Sequence, residues 1–253
     1  MKNFIIVGVQ RTGSSALAES IGLNQMVTCG WEWTQRVPWK RKIEVAERAL
    51  TGDFSLLKQE DKDHMTKVFD QRKSWLGFRR LFRASNKWII HPCFCPALWL
   101  DRLEDHIRWL GRRPDIHIIH IVRHEALDWL KSVYIARKTN LYVGSAYPKG
   151  IKCKIPVRSA IARLHTKNWI DRRLSTLKHT NPYLQLKYED FLADQDAVTD
   201  SAWRFLGCNP SILNNSKPLI HKQSSGTAAD YILNYDKLFL KLRRLNLLTS
   251  QFN

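Results

Sequence analysis

The stretch Asn3-Phe-Ile-Ile-Val-Gly-Val-Gln-Arg-Thr-Gly-Ser-Ser-Ala-Leu17 decides the fold of this chain. It begins with an apolar, β-branched and aromatic run at residues 4–9, which is long enough for a buried strand and too short for a helix. A polar, Gly-containing loop from Gln10 to Ser15 follows, and residues 13–22 have helical spacing. The stretch therefore predicts a strand, an anion-binding turn and a helix N-terminus.

The loop carries the groups that an anion needs. Backbone N–H groups and the helix dipole supply partial positive charge, and the hydroxyls of Thr12, Ser14 and Ser15 can donate to phosphate or sulfate oxygens. Residues 8–15 match a P-loop except that Ser14 stands where the Lys is expected. The missing Lys argues against hydrolysis of ATP or GTP, and the cation lies three residues earlier, at Arg11.

This arrangement, from Arg11 through Thr12 and Gly13 to Ser14 and Ser15 directly after the first strand, resembles the 5′-phosphosulfate loop of sulfotransferases that use 3′-phosphoadenosine 5′-phosphosulfate (PAPS). The resemblance implies that residues 11–15 bind this donor and that Arg11 also acts on the transferred group. The alternative is a Gly-containing strand-to-helix turn without a ligand.

A second motif follows the clearest strand, Asp115 to Arg123. The strand delivers Arg123 to the carboxyl edge of the sheet, and a helix from about residue 125 carries Ser132. An Arg fork and a hydroxyl suit a phosphate. The stretch resembles the 3′-phosphate motif of sulfotransferases, although Ser132 lies nine residues after the Arg and Lys131 occupies the commoner position. The alternative for Arg123 is a structural ion pair.

Two residues are candidates for the general base. Glu32 lies between Trp31 and Trp33, where desolvation favours a raised carboxyl pKa, and sulfotransferases of the bacterial and protein-tyrosine types place a Glu at a similar distance from the loop. His91 ends a predicted strand and ranks second, because it lacks the Lys that accompanies such a His in the cytosolic type. In the basic loop after His221, Lys222 is a candidate for contact with the 3′-phosphate.

Composition restricts the class of protein. The 253 residues carry 41 Lys and Arg against 23 Asp and Glu, a formal charge of +18, which favours anionic partners without choosing among them. No apolar run is long enough to span a membrane, and no secretory signal is evident, so a cytoplasmic protein is expected. The five cysteines form no C-x-x-C pair, and His117 and His120 point to opposite faces of a strand. No metal is expected.

We predict one sulfotransferase-like domain over residues 1–253, with a mostly parallel central sheet flanked by helices. A helical insertion is expected at about 36–85 and a C-terminal helical segment at about 228–248. The basic amphipathic helix at 237–248 is predicted to dock on the core, although peripheral membrane contact is an alternative.

The predicted reaction transfers a sulfuryl group from PAPS to a hydroxyl or amine of an unidentified small-molecule, glycan, lipid or peptide acceptor. A P-loop kinase or NTPase is the first rival, but it needs a Lys near Ser14 and a metal-holding carboxylate on a second strand. A basic nucleic-acid-binding module is the second rival. It would explain the charge but would not require the Arg11 loop.

Overall fold

Three parallel strands form the centre of the protein. The computed structural model describes residues 3–24, 27, 43–44, 47, 103–141, 146–211 and 226–249. Within these ranges the strands are β1 (Asn3–Val7), β2 (Ile116–Val122) and β3 (Tyr183–Lys187), in the order β1-β2-β3. Ile5 lies opposite Ile118, which in turn lies opposite Tyr183. The predicted α/β fold with a parallel sheet is confirmed.

Helices connect and flank the strands. In a parallel sheet, the helix that follows a strand begins at the carboxyl edge, where ligands bind. In chain order the helices are α1 (Ser14–Ile21), α2 (Leu103–Gly111), α3 (Ala126–Thr139), α4 (Val157–Ser175), α5 (Tyr188–Ala193), α6 (Gln195–Leu206), α7 (Ala228–Tyr231) and α8 (Tyr235–Arg244). A short 3₁₀ helix, Thr176–His179, extends α4.

The sheet is covered on both faces. Because side chains alternate along a strand, Ile5 and Val7 pack with residues of α2, α3, α4 and α8, whereas Phe4 and Ile6 pack with residues of α1, α5 and α6. β1 and β2 are therefore buried along almost their whole length, as expected when helices cover both faces of a parallel sheet, whereas β3 exposes Gln185 and Lys187. This explains why β1 reads in the sequence as a continuous apolar run.

The C-terminal segment lies against the first of these two layers. Leu238 and Leu242 of α8 are completely buried, which confirms the prediction that this helix docks on the core. Its exposed side chains include Lys237, Lys241 and Leu240. Among the helices that the structure describes, none has the length and apolar character that crossing a membrane would require. The single-domain boundary stays a prediction, and the insertion at 36–85 lies outside the described residues except at 43–44 and 47.

The two histidines of β2 face opposite layers, as the sequence predicts. His117 makes an edge contact with the ring of Phe205, with centroids 5.2 Å apart. His120 lies on the other face, where Nδ1 is 2.6 Å from the Tyr183 hydroxyl and Nε2 is 3.4 Å from Oδ1 of Asp171. Lys167 donates to the same carboxylate at 2.8 Å. These four polar groups form a core network rather than a metal site.

Candidate anion-binding site

The loop after β1 has a strained backbone. Arg11 adopts a φ of 71°, which is in the left-handed region that a residue with a Cβ seldom occupies, and Gly13 has a φ of 86°. Such a conformation in a non-Gly residue costs about 1–3 kcal/mol and persists only where surrounding contacts enforce it. A Cβ on Gly13 would also lie 2.5 Å from the Tyr188 ring, so this position requires glycine. The loop shape is therefore imposed by its neighbours.

Three contacts from distant parts of the chain hold Arg11. Nη1 of Arg123 donates to the Arg11 backbone oxygen at 3.0 Å. The Arg11 side chain donates from Nε to Oγ of Ser132 and from Nη2 to the hydroxyl of Tyr147, each at 3.0 Å. The structure thus brings Arg11, Arg123 and Ser132 together.

The hydroxyl residues of the loop differ in position. Thr12 is completely buried and donates its hydroxyl to the carbonyl of Val9 at 2.7 Å, so it shapes the loop from inside. Ser14 and Ser15 form the first turn of α1, where the helix dipole is positive. Gly13 begins this turn, because its carbonyl accepts from the N–H of Leu17 at 3.0 Å. The positive end of α1 therefore lies directly beside the Arg11 backbone.

Arg123 is both an ion-pair partner and a candidate ligand. Its Nη2 pairs with Asp128, and its guanidinium lies 4.3 Å from the centroid of the Tyr188 ring. The ion pair is the alternative that the sequence left open. Its buried Nε, however, has no hydrogen-bond partner among the described residues. A buried N–H without a partner is uncommon in proteins and would be satisfied by an anion.

Asp128 carries two cations. Besides Arg123 it pairs with Nζ of Lys131, which is completely buried. Burial alone raises the pKa of the Asp128 carboxyl, but Arg123 and Lys131 outweigh that effect and hold the pKa below its usual value. The carboxylate therefore stays charged near neutral pH, and one of the two positive charges beside it is not neutralised by it.

The adjacent side chains of Lys131 and Ser132 contact different parts of the protein. Lys131 donates to the backbone oxygen of Gly226 at 3.2 Å and lies 5.3 Å from the centroid of the Tyr231 ring, so it holds the C-terminal segment. Ser132 faces Arg11 instead. This orientation supports Ser132, not Lys131, as the helix residue nearest to the loop.

Further contacts fix α3 against the loop and against α5. Nε1 of Trp129 donates to the Gln10 carbonyl at 2.9 Å. One oxygen of Glu189 accepts from the N–H groups of residues 124 and 125, each at 3.0 Å, and thereby caps the N-terminus of α3. Asp194 caps the N-terminus of α6, accepting from the N–H of Ala197 at 2.9 Å.

Some predicted site residues lie outside the described part of the chain, namely Glu32, His91 and Lys222. The structure adds two residues that the motifs did not contain, Asp128 and Tyr147. Asp128 had a local signal, because it lies three positions before Lys131 on the same helix. Tyr147 had none, since its partner Arg11 is 136 positions away.

A strand, a Gly-containing loop and a helix, joined to a second strand that is followed by an Arg, define an α/β protein with hydrogen-bond donors that suit a phosphate-like group. A model of the sulfotransferase family matches residues 3–210. The chain therefore belongs to the sulfotransferase family. No curated protein matches the chain significantly.

Several solved structures are similar to this one. The sulfotransferase domain of the olefin synthase from Synechococcus PCC 7002 is 14% identical, with a TM-score of 0.47 over 94% of this chain and 84% of that one. A sulfotransferase from Alicyclobacillus acidocaldarius has the same identity and TM-score, over 97% of this chain and 94% of that one. A mouse sulfotransferase in complex with PAP is 15% identical, with a TM-score of 0.42 over 96% and 85%.

Proposed function

We propose that this protein transfers a sulfuryl group from PAPS to a hydroxyl or amine of an acceptor. The observation that carries the proposal is the contact between the two predicted motifs, in which Oγ of Ser132 accepts from Nε of Arg11 at 3.0 Å. The loop motif alone suits any anion. A second cationic and hydroxyl pair beside it suits a donor with phosphate groups at both ends of its ribose.

The proposed division of labour follows the geometry. Arg11 and the first turn of α1 hold the 5′ phosphosulfate, where helix N–H groups and a guanidinium neutralise charge on the equatorial and leaving oxygens. Arg123 and Ser132 hold the 3′-phosphate, for which the buried Nε of Arg123 supplies a donor. Lys222 is a further candidate for the 3′-phosphate.

In the reaction the acceptor oxygen or nitrogen attacks sulfur, and the bond between sulfur and the bridging phosphate oxygen breaks. The bond's electron pair leaves with 3′-phosphoadenosine 5′-phosphate (PAP). The acceptor proton passes to Glu32, or to His91 if that residue is the base. Sulfuryl transfer, like phosphoryl transfer, asks the protein mainly for in-line positioning and for stabilisation of this charge.

Ligand-dependent thermal stability tests the donor. PAP at one hundred times its dissociation constant should stabilise the protein by about 2.7 kcal/mol, which raises the melting temperature by about 5–10 °C. This should occur without Mg²⁺, and Mg-ATP should have no such effect, because no P-loop Lys is present. Equal stabilisation by Mg-ATP would favour the kinase or NTPase. Tight, steeply salt-dependent binding to DNA or RNA without an effect of PAP would favour the nucleic-acid module.

The acceptor is open to direct identification. A screen of phenols, sugars, lipids and tyrosine peptides with PAPS labelled in its sulfuryl group would give a labelled product in one class. For a lipid acceptor, the exposed basic side chains of α8, such as Lys237 and Lys241, are the proposed contact with an anionic surface, because the apolar residues Leu238 and Leu242 are buried. A cytoplasmic location stays a prediction.

A further inference from the structure

Tyr147 is a residue of the site that lies outside both stretches of sequence that form the motifs. Its hydroxyl accepts from Nη2 of Arg11 at 3.0 Å and lies 3.5 Å from Oγ and 3.4 Å from the backbone oxygen of Ser132. The side chain is 8% exposed, so the hydroxyl makes these contacts largely away from bulk water. Packing would require only the ring at this position. The hydroxyl, which lies between an Arg and a Ser of the two motifs, needs a further explanation.

We propose that Tyr147 is a positioning residue that sets the selectivity of the site for a 3′-phosphate. The inference rests on the proposed function, since it concerns how the same donor is held. It does not place Tyr147 among the catalytic residues. Tyr147 acts through Ser132, by leaving the Ser132 hydroxyl hydrogen directed to a ligand, and the bond from Arg11 orients the Tyr147 hydroxyl for this role.

The hydrogen bonds of Tyr147 and Ser132 determine where each hydroxyl hydrogen is directed. The Tyr147 oxygen accepts from Arg11, so its own hydrogen is directed to an acceptor on Ser132, of which the backbone oxygen is the nearer. Oγ of Ser132 already accepts from Nε of Arg11. The Ser132 hydrogen is then left for a further acceptor. A phosphate oxygen at this point would receive that hydrogen.

The surrounding backbone holds Tyr147 in place. The loop that carries it is tied to the C-terminal segment, because Cys153 donates its N–H to the Tyr231 carbonyl at 2.8 Å and accepts from the N–H of Leu233 at 2.9 Å. The Asn234 side chain accepts from the N–H of Ile155 and donates to its carbonyl, both at 2.9 Å. A phenol on an anchored loop keeps its position when its partners bind a ligand, as a positioning residue must.

Tyr147→Phe removes the hydroxyl and keeps the ring. The test measures binding of PAP, which has both phosphates, and of adenosine 5′-monophosphate, which lacks the 3′-phosphate, by calorimetry. In the variant the dissociation constant of PAP should rise about tenfold, the effect of about 1.4 kcal/mol, whereas that of the monophosphate should change less than about twofold. A phenol that served only to pack the loop would weaken both ligands equally or neither. Equal changes, or no change, would overturn the inference.

Tyr134→Phe is the matched control. Tyr134 lies on α3 as Ser132 does, but its hydroxyl donates to Oγ of Ser159 at 2.6 Å. Removing it should leave the ratio of the two dissociation constants unchanged. If Tyr147→Phe does not fold, Tyr147→Met takes its place, since it also lacks the hydroxyl and its flexible side chain fills irregular space: a loss of affinity for PAP alone supports the inference, and equal changes or none overturn it. Failure of the wild-type protein to bind PAP at all would instead refute the proposed function.

Discussion

Nη1 of Arg123 donates a hydrogen bond of 3.0 Å to the backbone oxygen of Arg11, so the residue that follows β2 holds the loop that follows β1. The two sequence motifs are therefore one structural unit. Replacing Arg123 would remove a candidate phosphate ligand and release the strained loop at the same time. The contribution of the second motif to binding is better measured at Ser132, whose hydroxyl accepts from Arg11 of the loop and lies 3.5 Å from the Tyr147 hydroxyl.

Ser132→Ala is expected to weaken PAP binding. A hydrogen bond to a charged group contributes about 1.5–3 kcal/mol, so the dissociation constant should rise about 10- to 100-fold with little loss of stability. Calorimetric titration with PAP measures the first quantity, and urea unfolding the second.

Lys131→Met is the comparison for that experiment. It keeps the length of the buried side chain but leaves Asp128 with one cation and removes the tie to Gly226. We expect it to lower the free energy of unfolding more than Ser132→Ala does, and to weaken PAP less. The reverse order for PAP would make Lys131 the phosphate ligand.

Gly13→Ala tests the shape of the loop. The new Cβ would meet the Tyr188 ring at 2.5 Å and would hold a left-handed φ, whereas Gly150 has a φ of 72° with no heavy atom within 4 Å of the position that a Cβ would take. Gly150→Ala should therefore show only the backbone cost, about 1–2 kcal/mol. Gly13→Ala should lose at least about 1 kcal/mol more by overpacking and should bind PAP poorly. If urea unfolding showed that Gly13→Ala and Gly150→Ala lower the free energy of unfolding equally, the loop would accommodate the new Cβ without a further energetic cost.

The sequence allowed prediction of the elements whose signals are local. The apolar runs of β1 and β2, the Gly at each end of α1 and the Arg that follows β2 all lie within a few residues of what they determine. The partners of Arg11 do not. Ser132 and Tyr147 are 121 and 136 positions away from it, and nothing in periodicity or spacing relates them. The resemblance to a known family supplied Ser132, and the structure was needed for Tyr147.

The buried network around His120 likewise contains one pair that the sequence indicates and one contact that it does not. Lys167 and Asp171 are four apart on α4, which is a spacing for ion pairs that the sequence displays. The burial of this pair and its contact with His120 depend on how α4 packs on β2. The sequence therefore predicted His120 only as structural.

Asp171→Asn should destabilise the protein strongly. It leaves Lys167, which is buried, without its carboxylate, and loss of one partner of a buried pair costs about 3–5 kcal/mol. The control is Asp200→Asn, which breaks an exposed pair with Arg204 and should cost less than about 0.5 kcal/mol. Urea unfolding at pH 7 measures both. Similar values for the two variants would mean that the buried charges are not mutually required.

The Asp171 carboxyl also determines the direction in which stability changes with pH. Burial raises the pKa of Asp171, but the His120 ring beside it and the charge of Lys167 outweigh that effect, so the pKa in the folded protein lies below the usual value. A depressed carboxyl pKa stabilises the fold above the unfolded pKa, about 3.9, and this contribution is lost as the pH falls through the folded value. The free energy of unfolding should thus fall less steeply below about pH 4 in Asp171→Asn than in the wild type. Parallel curves would assign the acid sensitivity to other carboxyls.

The last prediction concerns the base, which lies outside the described residues. Glu32 is proposed because it follows the loop at the distance seen in related enzymes and lies between Trp31 and Trp33, where desolvation favours a pKa suited to proton transfer. Glu32→Gln keeps the shape but cannot accept the acceptor's proton. Turnover, measured with labelled PAPS and the acceptor found by the screen, should fall about 10²- to 10⁴-fold. The affinity for PAP should stay near the wild-type value, because the proposed nucleotide ligands are Arg11, Arg123 and Ser132. His91→Asn is the matched comparison: if it abolishes turnover while Glu32→Gln retains most of it, His91 is the base and the enzyme works as the cytosolic type does.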